Sequence, residues 1–205
     1  MGSILSFLSP SLESPLLYLA YQTAVGGIRA RRKCILEYIR PTPGLTVLDI
    51  GCGPGYTIRY FPEPDYYGFD VSRTYIEYAR ARFSGRGHFQ CSCFDDSTAT
   101  RVPAVDVVLL MGLLHHLNDR EAINLLTTIK RVMKPQARLV TLDGAYKEGQ
   151  SPVARYFLNH DRGRHVRRET EYGRIAATVF SGVQSFVRDD LFRIPYTTVV
   201  LECRH

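Results

Sequence analysis

Apolar residues fall into two alternating kinds of run along the chain. Short stretches rich in β-branched residues, at 46–50, 66–70, 87–93, 105–111 and 138–142, are read as strands. Between them apolar positions recur at helical spacing. After Ser72, a natural helix cap, Tyr75, Ile76, Ala79 and Phe83 share one face. After Asp119 the inner stripe is Ile123, Leu126, Ile129 and Val132 or Met133, and the helix ends before Pro135. The run 105–111 is nearly continuous in apolar residues, as expected of a strand covered on both faces. Strands alternating with helices predict a parallel sheet with crossover connections.

The last third continues with a loop and helix at 151–160, a turn at 161–163, a helix at 169–180, and strands at 182–191 and 197–203. The turn at Pro195 is too short for a crossover, so these two strands must pair antiparallel. Ahead of the first strand the pattern gives one helix, 28–39, preceded by a loosely ordered segment. Its apolar patches, Ile4, Leu5, Phe7 and Leu8 and then 16–21, are broken by Pro10 and Pro15. No run approaches the ~20 apolar residues that span a bilayer, and no basic stretch precedes a signal-like segment. Contact of an interfacial helix with a membrane surface stays open, with the two prolines limiting its length. The expectation is one domain, with 1–40 as an N-terminal helical lid and 144–181 as an insertion on the substrate side.

The sharpest motif is Asp49-Ile50-Gly51-Cys52-Gly53-Pro54-Gly55, where a strand ends and a helix is expected to begin. Glycine there lets the backbone turn tightly and approach a ligand. Asp70 ends the next strand nineteen residues after Gly51, the distance at which a carboxylate reaches ribose hydroxyls in nucleoside-binding α/β folds. A nicotinamide dehydrogenase would carry G-x-G-x-x-G instead, and the terminal hairpin is foreign to it.

Strand, D-x-G-x-G-x-G, strand and acidic residue in this register resemble the class I S-adenosylmethionine-dependent methyltransferases, over nearly the whole chain. Val105 to Val108 with Leu114-His115-His116-Leu117 resembles the fourth-strand region of their small-molecule branch, and Lys134 to Leu139 their helix-to-strand-five turn. The resemblance implies an α/β, Rossmann-like, doubly wound seven-stranded sheet in the order 3-2-1-4-5-7-6 with an antiparallel C-terminal hairpin. It implies an enzyme that uses S-adenosylmethionine, held by Asp49, Gly51, Cys52, Gly53, Asp70, Val71 and Met111. Where the family has an acidic and then an apolar residue against adenine, the register places Cys93 and Phe94; Asp95 supplies the carboxylate only if the strand end bulges. Tyr18, Tyr21 and Gln22 resemble residues of a cofactor lid, and are equally consistent with a helix's inner face.

Ligands of an open α/β sheet sit beyond the carboxyl ends of its strands, which puts 111–118 and 143–147 around the methyl acceptor. His115 and His116 are the candidate general bases, His116 slightly favoured, against a packing role for both. The fourth strand lacks the Asn/Asp-Pro-Pro-aromatic sequence of base and glutamine methylation, so a nucleobase acceptor is disfavoured. The expected function is methyl transfer to O, N or C of a small metabolite, anionic ones included. A non-catalytic scaffold of the same fold and an RNA methyltransferase are the alternatives.

Charge modifies this picture little. The formal net charge of +6 is concentrated in Arg29, Arg31, Arg32 and Lys33, and in Arg162, Arg164, Arg167 and Arg168. The segment 160–167 could clamp an anion, or its ion pairs could merely stitch the loop. Five cysteines, odd in number and without paired C-x-x-C spacing, fit neither a disulfide framework nor a zinc site, and point to reduced thiols in the cytoplasm without a metal.

Overall fold

The computed structural model describes residues 14–161 and 163–205. The apolar patch at Ile4 to Leu8, Pro10 and the candidate clamp residue Arg162 lie outside them. The central strands are β1 (Thr46–Ile50), β2 (Asp65–Asp70), β3 (His88–Cys91), β4 (Val105–Met111) and β5 (Met133–Tyr146). A two-residue strand, β6 (Arg167–Arg168), follows, then β7 (Gly182–Arg188) and β8 (Thr198–Arg204). The sheet order is β3-β2-β1-β4-β5-β8-β7, with β6 pairing β5 off this path. This is the expected order once β6 is counted. The first five strands run parallel, and β8 lies antiparallel to both β5 and β7.

Alternation along the strands builds a core on each face. Leu48, Val108, Leu110 and Leu139 pack toward Leu126 and Ile129 of α5 (Asp119–Val132) and Ile175 of α7 (Glu169–Ala177). Val47, Val107, Leu109 and Val140 pack toward Ala30 of α2 (Gly27–Cys34) and Ile76 of α3 (Arg73–Arg82). The cap read from the sequence is formed, Ser72 accepting from the Tyr75 N–H, and α5 starts on a capping box not read from the sequence, in which Asn118 exchanges hydrogen bonds with Glu121. Asp106 ties the edges of three strands together, accepting from Thr46 N–H at 2.9 Å and from Lys134 Nζ at 2.8 Å.

Three expectations are corrected. Residues 15–25 are not loosely ordered: Pro15–Val25 forms α1, with Pro15 at the first helical turn, where its missing N–H costs nothing. Gly26 at φ +90° breaks α1 from α2, and after Cys34 the helix widens into a π turn, Ile35–Ile39, closed by Arg40 at φ +52° before Pro41. Second, no α-helix follows the glycine loop. Gly55, left-handed at φ +73°, prevents helical entry, and a 3₁₀ turn, Tyr56–Tyr60, leads to β2. Third, β5 is longer than the apolar run suggested, and its end pairs with the unforeseen β6 through Ala145 and Tyr146. Two further helices, α4 (Asp96–Ala99) and α6 (Pro152–Asn159), complete the chain.

Candidate active site

The carboxyl ends of β1 and β2 shape the first half of the site. Gly51 and Gly53 have φ of +74° and +55°, conformations L side chains rarely adopt, and the Gly51 and Cys52 N–H groups donate to the Phe69 carbonyl. Asp70 receives the Gly53 N–H on one carboxylate oxygen and the Ser72 N–H on the other, both at 2.8 Å. Each oxygen keeps a lone pair toward a cavity of about 1040 Å³ whose wall includes Gly51, Asp70, Val71, Ser92, Cys93 and Phe94. Phe94 is buried, edge-on to Phe69 at 5.1 Å between ring centroids, while Cys93 and Val71 are exposed on the rim. Asp95 lines the same cavity and caps α4 through its Oδ1, accepting from Ser97 and Thr98 N–H at 2.9 Å.

Beneath the glycine loop Asp49 is buried, and the Tyr66 hydroxyl donates to its Oδ2. Its Oδ1 has no hydrogen-bond partner among the described residues. Burial raises the Asp49 carboxyl to about 6 in spite of the Tyr66 hydrogen bond and the Arg31 charge. Arg31 reaches inward from α2 and donates to the Tyr18 hydroxyl at 3.0 Å, the Gln22 side-chain oxygen and the Met111 carbonyl, both at 3.4 Å. A half-buried cation with neutral partners, beside an unsatisfied buried carboxylate oxygen, is the donor set an amino acid's carboxylate and ammonium require. The cradle therefore fits S-adenosylmethionine: Asp70 for the ribose, Ser92, Cys93 and Phe94 for the base, and Asp49 and Arg31 for the amino-acid end. Cys52 contributes its backbone, for its thiol packs into the sheet, where a Cβ on Gly68 would lie 3.0 Å away.

The second half is a cavity of about 390 Å³ on the other side of the β4 turn; Met111 and Gly112 face it, and Leu113 faces the larger one. Tyr21, His115 and His116 also line it. His115 is buried, with Nδ1 at 2.8 Å from Asp143 Oδ1 and Nε2 at 3.2 Å from Asp161 Oδ1. Burial alone would lower its pKa, but the two carboxylates outweigh it and raise the imidazole to about 10. Asp161 is lowered to about 2 against its own burial, chiefly by His115. His115 is thus an imidazolium near neutral pH with both ring nitrogens engaged. His116 is exposed, its ring 4.2 Å from that of His115.

Of the two readings of 160–167, Arg167 follows the stitching one. Arg167 is buried and donates to Asp119 and to the carbonyls of Leu114, Leu117 and His165. The early basic cluster is dispersed likewise: Arg29 donates to the carbonyls of Asp190, Leu191 and Phe192, and Lys33 pairs with Asp190. Sequence reading missed the roles of Arg31, Ser92 and Tyr196. Asp143 carried a signal, a carboxylate at the end of β5; Arg31 did not, being one of four neighbouring basic residues.

Residues 47–136 match a family model described as a methyltransferase domain. A curated protein named O-methyltransferase, from Pyrenophora dematioidea, is 31% identical over 122 residues, covering 56% of this chain and 45% of that protein. Among solved structures, a pyocyanin biosynthetic protein superposes with a TM-score of 0.74 at 19% identity, over 99% of this chain and 62% of that one. The plantazolicin methyltransferase, solved with a triazolic desmethyl analogue and SAH, gives 0.66 at 15% identity, over 91% and 89%. The chain spans less than half of the curated relative and under two thirds of the first of these structures. The sequence match over 47–136 is thus to a methyltransferase domain, and the sheet order is that of the Rossmann-like methyltransferase fold.

Proposed function

We propose that this chain transfers the methyl group of S-adenosylmethionine to an oxygen of a small molecule. The reading is supported by one observation above others: a large crevice lined by Asp70 and a smaller cavity with ionised side chains adjoin across the Met111–Leu113 turn. The donor, when bound, supplies an electrophilic methyl carbon whose bond to sulfur breaks as the bond to the acceptor forms, the electron pair remaining on sulfur.

The chain's part is to align and to manage charge. Holding two reactants in line contributes roughly 7–11 kcal/mol to lowering such a barrier. Gly51, Gly53 and Asp70 fix the nucleoside, and Asp49 and Arg31 fix the amino-acid end. α1 and α2 act as the lid, bringing Tyr18, Tyr21 and Gln22 over the crossing point, and 144–181 closes the acceptor side. His115, locked by Asp143, supplies a fixed positive charge against the acceptor oxygen. His116, exposed in the same cavity, takes the acceptor's proton and passes it to solvent.

Calorimetry with S-adenosylhomocysteine tests the donor half, with micromolar binding expected. Labelled S-adenosylmethionine with hydroxylated aromatic acceptors tests the transfer. No affinity for either donor form overturns the reading.

A further inference from the structure

Asp161 sits where an acceptor would. Its Oδ1 accepts from His115 Nε2 at 3.2 Å and from the Gly163 N–H at 2.8 Å, and its Oδ2 accepts from the Tyr196 hydroxyl at 2.8 Å. His115, Asp143, Asp161 and Tyr196 all line the smaller cavity. The chain's own carboxylate therefore occupies the one ring nitrogen of His115 that is not turned toward β5.

From this arrangement we infer that Asp161 is an internal stand-in for the acceptor, and that the acceptor is an acid whose anionic oxygen displaces it from His115. The inference rests on the methyl-transfer reading above and names its substrate class: a carboxylic acid, or a comparably acidic phenol or enol, on a flat frame.

Charge bookkeeping favours an anion. Asp143 and Asp161 bracket a single imidazolium, so replacing the Asp161 carboxylate by another anion leaves the charge of the group unchanged. A neutral alcohol entering instead would leave the buried imidazolium with one carboxylate in place of two. The Tyr196 hydroxyl, which donates to the carboxylate now, remains a donor to its replacement. Phe157, Phe192 and Ile194 complete the apolar wall against which a ring would lie. Proton balance follows. The acid gives its proton to His116 or to water before transfer, His115 stays protonated throughout, and the methyl carbon is received by an oxygen with no proton left to lose.

The test uses the full chain with benzoate as the anionic probe and benzyl alcohol as its neutral match. Affinities are measured by calorimetry, and the His115 ring resonances are followed by NMR. In Asp161→Ala benzoate binds at least tenfold more tightly than in the wild type and shifts the His115 resonances, while benzyl alcohol gains nothing. Adding His115→Gln abolishes the gain. Asp161→Asn keeps the side chain's shape and removes only its charge, so it gives a gain of several-fold and serves should the alanine variant fold poorly. Unchanged or weaker benzoate binding in both variants, or an equal gain for benzyl alcohol, overturns the inference. Because the probe binds without donor, this result is independent of the S-adenosylhomocysteine calorimetry that judges the methyl-transfer reading.

Discussion

The Arg31 guanidinium donates to the Tyr18 hydroxyl at 3.0 Å, joining α2 to α1 across the mouth of the glycine loop. This bond holds a half-buried cation near the space above Gly53, where the nearest atom to a Cβ would be Tyr18 Cε1 at 3.8 Å. A charge-assisted hydrogen bond contributes about 1.5–3 kcal/mol. Arg31→Met is therefore expected to weaken S-adenosylhomocysteine binding by roughly ten- to hundredfold, and Tyr18→Phe by far less. Calorimetry on the two variants separates an anion-binding arginine from one that merely fastens the lid, since the fastening bond is lost in both.

Asp49 makes donor binding sensitive to pH. Its carboxyl, raised to about 6 by burial, holds a proton in the folded chain between its ordinary value of 3.8 and about 6. The folded state then binds more protons than the unfolded one, so stability falls as pH rises through this window and is lower above it by about 3 kcal/mol. Asp49→Asn should gain stability relative to the wild type as pH rises from 4 to 7, measured by urea unfolding. Donor affinity runs the other way: a ligand ammonium needs the ionised carboxylate, so wild-type affinity for S-adenosylhomocysteine drops as pH falls below 6. The asparagine variant binds weakly with a flat profile.

The parts of this site that could be read from the sequence are those fixed by local backbone chemistry. Gly51, Gly53 and Asp70 are recognisable because left-handed turns and a strand-end carboxylate leave a spaced pattern. The strands carry their burial in composition, and Ser72 announces its helix one residue ahead. What the sequence hid depends on which distant groups meet. Arg31 and Arg32 are neighbours in the chain, yet one points into the site and the other to solvent. Pro15 reads as a breaker and acts as a helix start, because its effect depends on position within the turn. His115 reads as a base until two carboxylates, from β5 and from the 161–163 turn, are seen on its ring.

Arg167 supports the site without entering it. Its guanidinium satisfies the carbonyls of Leu114 and Leu117 on either side of the two histidines and pairs with Asp119 at 2.8 Å. Removing it strands buried carbonyls, each costing about 1–3 kcal/mol. Arg167→Ala is expected to lower the melting temperature by several degrees. Were Arg167 instead an anion clamp, acceptor KM would rise with little loss of stability; thermal unfolding and kinetics on the same variant decide between the two.

The contact of Asp161 and Gly163 with His115 also carries a stability signature. His115 is raised from 6.5 to about 10 in the folded chain, so its contribution is fully present below pH 6.5 and is lost as pH rises through about 10. His115→Gln should therefore be most destabilised relative to the wild type near pH 6, with the gap closing toward pH 10 in urea unfolding. Gly163→Ala probes the same contact from the other side. An added Cβ would lie 2.0 Å from His115 Cδ2 and 2.7 Å from its carbonyl oxygen, and the buried histidine has no room to yield. The turn must lift, separating Asp161 from Nε2, so the His115 ring should titrate at lower pH in this variant when followed by NMR. A ring that stays protonated to the same pH in Gly163→Ala would mean that Asp143 alone sustains the imidazolium.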